Sequence, residues 1–317
     1  MKDFTSFLSM QMEEFIYYRK AAGNWNGSYE ENLKRFDAYV TENYPDSQAL
    51  SQDMADSWCA KRETEANNSC RSRIYVVISF LKYLKKRSCT DIDIPKVPRK
   101  EKRTYIPHAF TDSELAAFFH ACDSLSVYHG SLPNKLHKII IPVFFRLLFS
   151  SGMRTAEARL LKRKDVDLNG GIINIRDSKG DDRHYAVLHD SMADLLQEYD
   201  TAMDRLIPER TYFFPSMNDK PHPKGWVTRN FSTLWNRVNR PGATAYELRH
   251  HYAIHNINRW TDAGFGFNDK LLYLSKSMGH RTVEETKRYF SIVPALSEIL
   301  SEKTGDSMDQ ILPEVYR

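Results

Sequence analysis

Cysteine is scarce in this sequence: Cys59, Cys70, Cys89 and Cys122 are all it has in 317 residues. None is spaced as Cys-x-x-Cys and they form no dense framework, so they read as free thiols of a reducing compartment. Also missing is any stretch near the roughly 20 apolar residues that cross a bilayer. The most apolar run, Ile139–Phe149, is interrupted by Pro142 and Arg146 and reads as a core helix. The opening Met1-Lys2-Asp3-Phe4 lacks the charged-then-apolar pattern of an export signal. A cytoplasmic location without membrane contact is expected. No His-Glu-x-x-His pattern exists. His251 and His255 stand four apart with Glu247 as the nearby carboxylate, so no metal is expected there. Excess charge is small too, at +4, too little by itself to announce a nucleic-acid binder.

What is present describes an ordinary globular chain, 41% hydrophobic and 27% charged, of a length that suits two domains. Its charge is unevenly spread. Residues 67–104 hold eleven Lys/Arg against three Asp/Glu, a local +8 that leaves −4 for the remainder. Basic charge concentrated beside a linker is the footprint of a clamp that tracks a DNA backbone. The plain alternative is a solvated helix face.

The first hundred residues read as four helices. Phe4, Phe7, Leu8, Met12, Phe15 and Ile16 fall near helical spacing, with Gly23 as a stop. Ser28 is the expected cap of a second helix, followed by helices near Ser51–Arg62 and Asn67–Arg87. Pro95 and Pro98 forbid helix in the basic linker, residues 93–109. Thr111-Asp112-Ser113-Glu114 is a capping box with Phe110 and Leu115 as its staple, and opens a second domain over 110–317. An apolar helix near Lys138–Ser150 leads to a turn at Gly152. Strands are expected at Lys164–Leu168, Ile172–Arg176 and His184–Leu188, with Lys179 at a hairpin tip between the last two. Further helices follow at Asp190–Leu206 and Trp226–Val238. A helix from Thr244 or Ala245 places Tyr246 and Arg249 on one face, and a last one, Thr282–Phe290, carries Tyr289.

Two segments concentrate the chemistry: Ser151–Glu157 and Tyr246–Tyr289. Together with Lys179 they supply two arginines, a lysine, a histidine and a tyrosine, which is what metal-free attack on a phosphodiester requires. Guanidinium forks suit the non-bridging oxygens of a charged five-coordinate transition state. A tyrosine nucleophile, with a phenol pKa of about 10, leaves more readily than an alcohol and so permits rejoining. A lysine on a hairpin suits protonation of the leaving 5′ oxygen.

The spacing resembles the tyrosine recombinase (phage integrase) family. Gly152, Arg154, Glu157 and Leu161 match its first box; Leu248, Arg249, His250, Ala253 and His255 its second; Gly279, His280 and Tyr289 its third. Between the first and second boxes, Phe213–Pro215 resembles a short strand of the family. Alone, His280 reads as a core histidine and Tyr289 as a surface or core aromatic, and their spacing reverses both readings. Glu157 reads as a carboxylate that orients a catalytic arginine rather than as an exposed helical acid. One departure is Tyr246, where the family usually has His or Lys, and a phenol is a poor proton acceptor near neutral pH. Tyr246 is therefore expected as a phosphate contact.

The resemblance implies a mainly α fold with a small antiparallel sheet. A helical SAM-like core-binding domain over residues 1–92 would clamp DNA with a tyrosine recombinase catalytic domain over 110–317. It further implies Arg154, Lys179, Arg249, His280 and Tyr289 as catalytic residues, Glu157 and His250 as their support, and no cofactor. Partners would be double-stranded DNA recombination sites, bound as a homotetramer, with the tail 295–317 docking on a neighbouring copy or on its own domain. The N-terminal arm-binding domain of many phage integrases is not expected. The unusual Tyr246 favours an integrase/excisionase-type enzyme of a mobile element. The alternatives are a Xer-like chromosome or plasmid dimer resolvase, a type IB topoisomerase-like enzyme, and a non-catalytic DNA-binding regulator.

Overall fold

The computed structural model describes residues 4–25, 27–101, 107–126, 131–176, 183–259, 267–287 and 289. The chain divides into two units, Met1–Thr104 and Tyr105–Arg317. In the first, periodic apolar residues produce helices α1 (Ser9–Ala21), α2 (Gly27–Asn43), α3 (Gln52–Cys59) and α4 (Asn67–Lys86). Met12, Phe15, Phe36, Val40, Ile74, Val77 and Leu81 meet in their common core. Ser51 caps α3, its hydroxyl accepting from Met54 N at 3.2 Å. Ser28 is not the cap of α2, which starts one residue earlier and holds Ser28 in its first turn.

The basic stretch is less free than its composition implies. Arg73 is buried and spans Glu65 and the Trp58 and Ala60 carbonyls. The guanidinium of Arg87 stacks 3.9 Å over Tyr83. The linker is partly tied down: Arg71 donates to Pro98 O at 2.6 Å and Asn68 to Glu101 O at 2.9 Å. The exposed basic side chains that remain include Lys82, Lys86, Lys96, Arg99 and Lys100.

The second unit opens as its capping box predicts. Thr111 Oγ1 accepts from Glu114 N, the Glu114 carboxylate accepts from Thr111 N, and α5 (Asp112–Asp123) follows. Helix α6 (Leu132–Ser151) begins six residues before its expected start, because Pro133 is tolerated in the first turn of a helix. It also runs through Pro142, whose cost of about 3 kcal/mol is offset by burying Ile140, Ile141, Phe144, Phe145 and Leu148. These side chains pack with Phe118, Phe231 and Trp235 to form the centre of this unit.

After α7 (Thr155–Leu160) comes a 3₁₀ turn, Arg163–Asp165, where strand was expected. Buried Asp165 is drawn there to Arg176 at 2.9 Å, which leaves β1 only Val166–Asp167. Strands β2 (Ile172–Ile175) and β3 (His184–Val187) complete an antiparallel sheet in the order β1-β2-β3, with Ile175 opposite His184. Phe213–Pro215 is not a strand. Only isolated bridges occur, Lys162 to Tyr212 and Pro215 to Pro221, since proline has no N–H for a ladder. Helices α8 (Asp190–Asp204), α9 (Trp226–Val238), α10 (Glu247–Asn258), α11 (Phe267–Ser277) and α12 (Val283–Lys287) complete the unit. No helix among the described residues is long and apolar enough to cross a membrane.

Candidate active site

Two left-handed glycines bring the site together. Gly152, at φ +64°, ends α6, and an added Cβ there would lie 2.3 Å from the Tyr252 ring. Gly279, at φ +60°, follows α11, and an added Cβ would lie 2.4 Å from His184 Cε1. Only glycine combines that backbone with such approach. Each turn aims its carbonyl at an arginine from elsewhere in the chain.

Arg154 sits at the N-cap of α7. The buried Glu157 carboxylate accepts from its backbone N at 2.8 Å and from its Nη1 at 2.6 Å, while Nη2 donates to Gly279 O at 2.8 Å. Glu157 thus holds both the backbone and the guanidinium of Arg154.

Arg249 comes from α10, whose start is anchored by another buried carboxylate. Glu247 accepts from His108 N at 2.8 Å and from Thr244 N at 2.5 Å. Arg249 is 2% exposed. Its Nη1 donates to Gly152 O at 2.6 Å, and its Nη2 to Met278 O at 2.7 Å and His280 Nε2 at 3.0 Å. The two arginines therefore lace the three motifs through backbone carbonyls. Burial pushes the Arg249 guanidinium below its ordinary pKa; the neighbouring Tyr289 opposes this and Arg154 adds to it. Arginine stays charged regardless. Among the described residues its buried Nε has no acceptor, a donor left over for an anion.

His280 joins this centre to α12. An arginine can only donate, so His280 Nε2 accepts and Nδ1 carries the proton, 2.7 Å from Thr286 Oγ1. Helix α12 is shorter than expected, and Tyr289 follows it in a turn, its N donating to Thr286 O at 3.0 Å. The phenol ring, 6% exposed, packs with Ala253, Ile257, Leu274 and Met278. It lies nearly parallel to His280 at a centroid distance of 6.1 Å and tilted against His250 at 5.4 Å.

The structure thus gathers Arg154, Glu157, Arg249, His280 and Tyr289. Tyr246 lies at the rim: it is the N-cap of α10, 45% exposed, and turns its ring onto His250 at 5.2 Å rather than sharing the buried face of Arg249. His250 packs its ring between Tyr246 and Tyr289; among the described residues it makes no hydrogen bond to Arg249 and its Nδ1 has no partner, and burial lowers its pKa. His251 and His255 stack on each other at 5.7 Å, with His251 against Phe149 at 5.3 Å. Lys179 and the tail 295–317 lie outside the described residues. Motif reading missed Thr286, though its place six after His280 and three before Tyr289 was a signal. It also missed His184, for which the local sequence holds none.

The phage integrase family model matches residues 109–294. Integrase/recombinase y4rB of Sinorhizobium fredii is 25% identical over 302 residues, covering 90% of this chain and 93% of that protein. Tyrosine recombinase XerD of Staphylococcus aureus is 23% identical over 296 residues, covering 87% and 90%. The fold is shared with the Tn1549 transposon integrase in complex with transposon right end DNA. There the TM-score is 0.62 at 13% identity, with 95% of this chain and all of that one covered. A family match spanning more than half the sequence, over the segment that holds both arginines and the tyrosine, makes this chain a member of the phage integrase family of tyrosine recombinases, enzymes of site-specific DNA recombination.

Proposed function

We propose that Tyr289 is the nucleophile of DNA strand exchange and that this chain serves the integration or excision of a mobile element. The phenolic oxygen bonds to phosphorus as the bond from phosphorus to the 5′ oxygen breaks, leaving a 3′-phosphotyrosyl link and a 5′ hydroxyl. Arg154 and Arg249 neutralise the phosphate, His280 joins them once the phosphate draws Arg249 off its Nε2 and the ring carries an N–H there, and Tyr246 is an outer contact. Lys179 delivers the proton to the 5′ oxygen. His250, kept neutral by burial and in ring contact with the phenol, is assigned the phenolic proton. The reverse attack by a new 5′ hydroxyl reseals the strand without outside energy or cofactor.

The observation that carries this reading is the buried Nε of Arg249 at the junction of the three motifs, which has no partner among the described residues and whose charge interacts with Tyr289. The guanidinium otherwise rests on backbone carbonyls. A phosphate competes for those hydrogens with a full charge and wins in a water-poor site. The basic face of the first unit holds the duplex backbone as a core-binding domain over residues 1–92, joined through the linker 93–109 to the catalytic domain over 110–317. Paired sites assemble as a homotetramer in the cytoplasm, where the DNA is. The similarity to XerD supports a second reading, resolution of chromosome or plasmid dimers.

A plasmid test separates the two. Sequences flanking the gene are placed as a pair around a marker. Excision or integration of the marker supports the mobile-element reading. Recombination only at a single chromosomal site, in the dimeric form of the replicon, supports resolution instead.

A further inference from the structure

We propose that His184 is a positioning residue that sets the geometry of Arg154, an inference that rests on the reading of Arg154 as a phosphate ligand. The Arg154 guanidinium is anchored by the Glu157 carboxylate and by the Gly279 carbonyl. His184 touches both. Its Nε2 stands 3.9 Å from Glu157 Oε2. Its ring faces Gly279 so closely that an added Cβ would meet Cε1 at 2.4 Å and Nδ1 at 2.5 Å. The imidazole is 8% exposed, and its backbone is held by the sheet, opposite Ile175.

A rigid planar ring packed against both the Glu157 carboxylate and the Gly279 turn limits how closely the two can approach, and that spacing sets where the arginine fork points. Glu157 Oε2 is also the oxygen that accepts from Arg154 N, so His184 acts on the atom that holds the arginine's own backbone. The ring has a polar edge as well as a shape. At 3.9 Å the Nε2 edge is beyond hydrogen-bond reach of the Glu157 carboxylate but close enough to attract it electrostatically, whereas an apolar side chain of similar size fills the gap and removes that restraint. The sheet is thereby coupled to the phosphate-binding arginine: a shift of β3 is transmitted to Glu157 and to the Gly279 turn in one step.

The test compares His184→Leu, which keeps bulk, with His184→Gln, which restores a polar edge toward Glu157. Single-turnover cleavage of a nicked suicide substrate and DNA affinity are measured for both. His184→Leu is expected to keep DNA affinity within about twofold and to lose on the order of tenfold in cleavage rate, while His184→Gln recovers most of that loss. The side-chain NMR signals of Arg154, assigned through Arg154→Lys, are expected to shift in the Leu variant and return in the Gln variant. Parental cleavage in His184→Leu, or equal loss in both variants, overturns the proposal. The NMR comparison needs no chemistry, so a parent that forms no adduct refutes the nucleophile assignment while unshifted Arg154 signals refute this one.

Discussion

Replacing Gly152 by alanine tests how the two halves of the active centre are held together. Two separable costs arise. An L-residue at φ +64° costs about 1–2 kcal/mol. The new methyl would also sit 2.3 Å from Tyr252 Cδ1, and relieving that contact by shifting a half-buried ring costs about 1–3 kcal/mol. Together the loss is about 2–5 kcal/mol, a large part of the stability of an ordinary domain. The same shift displaces Gly152 O, which accepts from Arg249 Nη1, so cleavage should fall more than affinity for DNA. Urea unfolding followed by circular dichroism reads the stability, and a double-mutant cycle with Tyr252→Ala separates the terms. Removing the ring should abolish the steric part, so the double variant should be about 1–3 kcal/mol more stable than the sum of the single losses. Additive losses, or a Gly152→Ala protein as stable as the parent, would refute the close-approach reasoning.

Glu157→Gln should preserve DNA affinity and lower the cleavage rate on the order of 10²-fold, because an amide would present a donor to one of the two Arg154 N–H groups; single-turnover assays check it. His222, stacked 3.9 Å over Trp226, is pushed down to about 4, chiefly by burial. The unfolded chain thus takes up this proton first as pH falls, and stability is lost from the ordinary histidine range near 6.5 down to about 4. His222→Phe keeps the stacking and should flatten the stability curve across that window, an effect on the order of 2 kcal/mol after discounting for partial exposure. Arg73→Met leaves Glu65 without its cation and should destabilise the first unit by about 3–5 kcal/mol. Arg73 holds the Glu65 carboxyl down at about 2, so the parent should lose stability between the ordinary carboxylate range near 4.5 and 2, and the variant should not; acid titration of thermal unfolding reads this.

Much of the centre was legible because its parts repeat at fixed distances along helices and turns. The Thr111 capping box, helix α9 and the glycine before His280 follow from local rules and stand where those rules put them. What stayed hidden is tertiary. Glu247 stands out in the sequence only as a carboxylate near two histidines, yet it is buried against the N–H of His108, 139 positions away. His184 looks like any strand residue until the fold sets it against Gly279. The run through Pro142 and the absence of a strand at Phe213–Pro215 show the same limit from opposite sides. Burial overrides a helix breaker in one case, and a missing N–H overrides β-prone aromatics in the other. The buried Arg73 explains why a raw charge count overstates the basic face of the first unit.

The most direct test of the central claim is to trap the covalent intermediate on a nicked duplex that loses its 5′ end after cleavage. Digestion and mass spectrometry should find a 3′-phosphonucleotide on the peptide containing Tyr289, and Tyr289→Phe should bind the same duplex without forming the link. An adduct that persists in Tyr289→Phe, or that maps to Tyr246 or another side chain, would contradict the account.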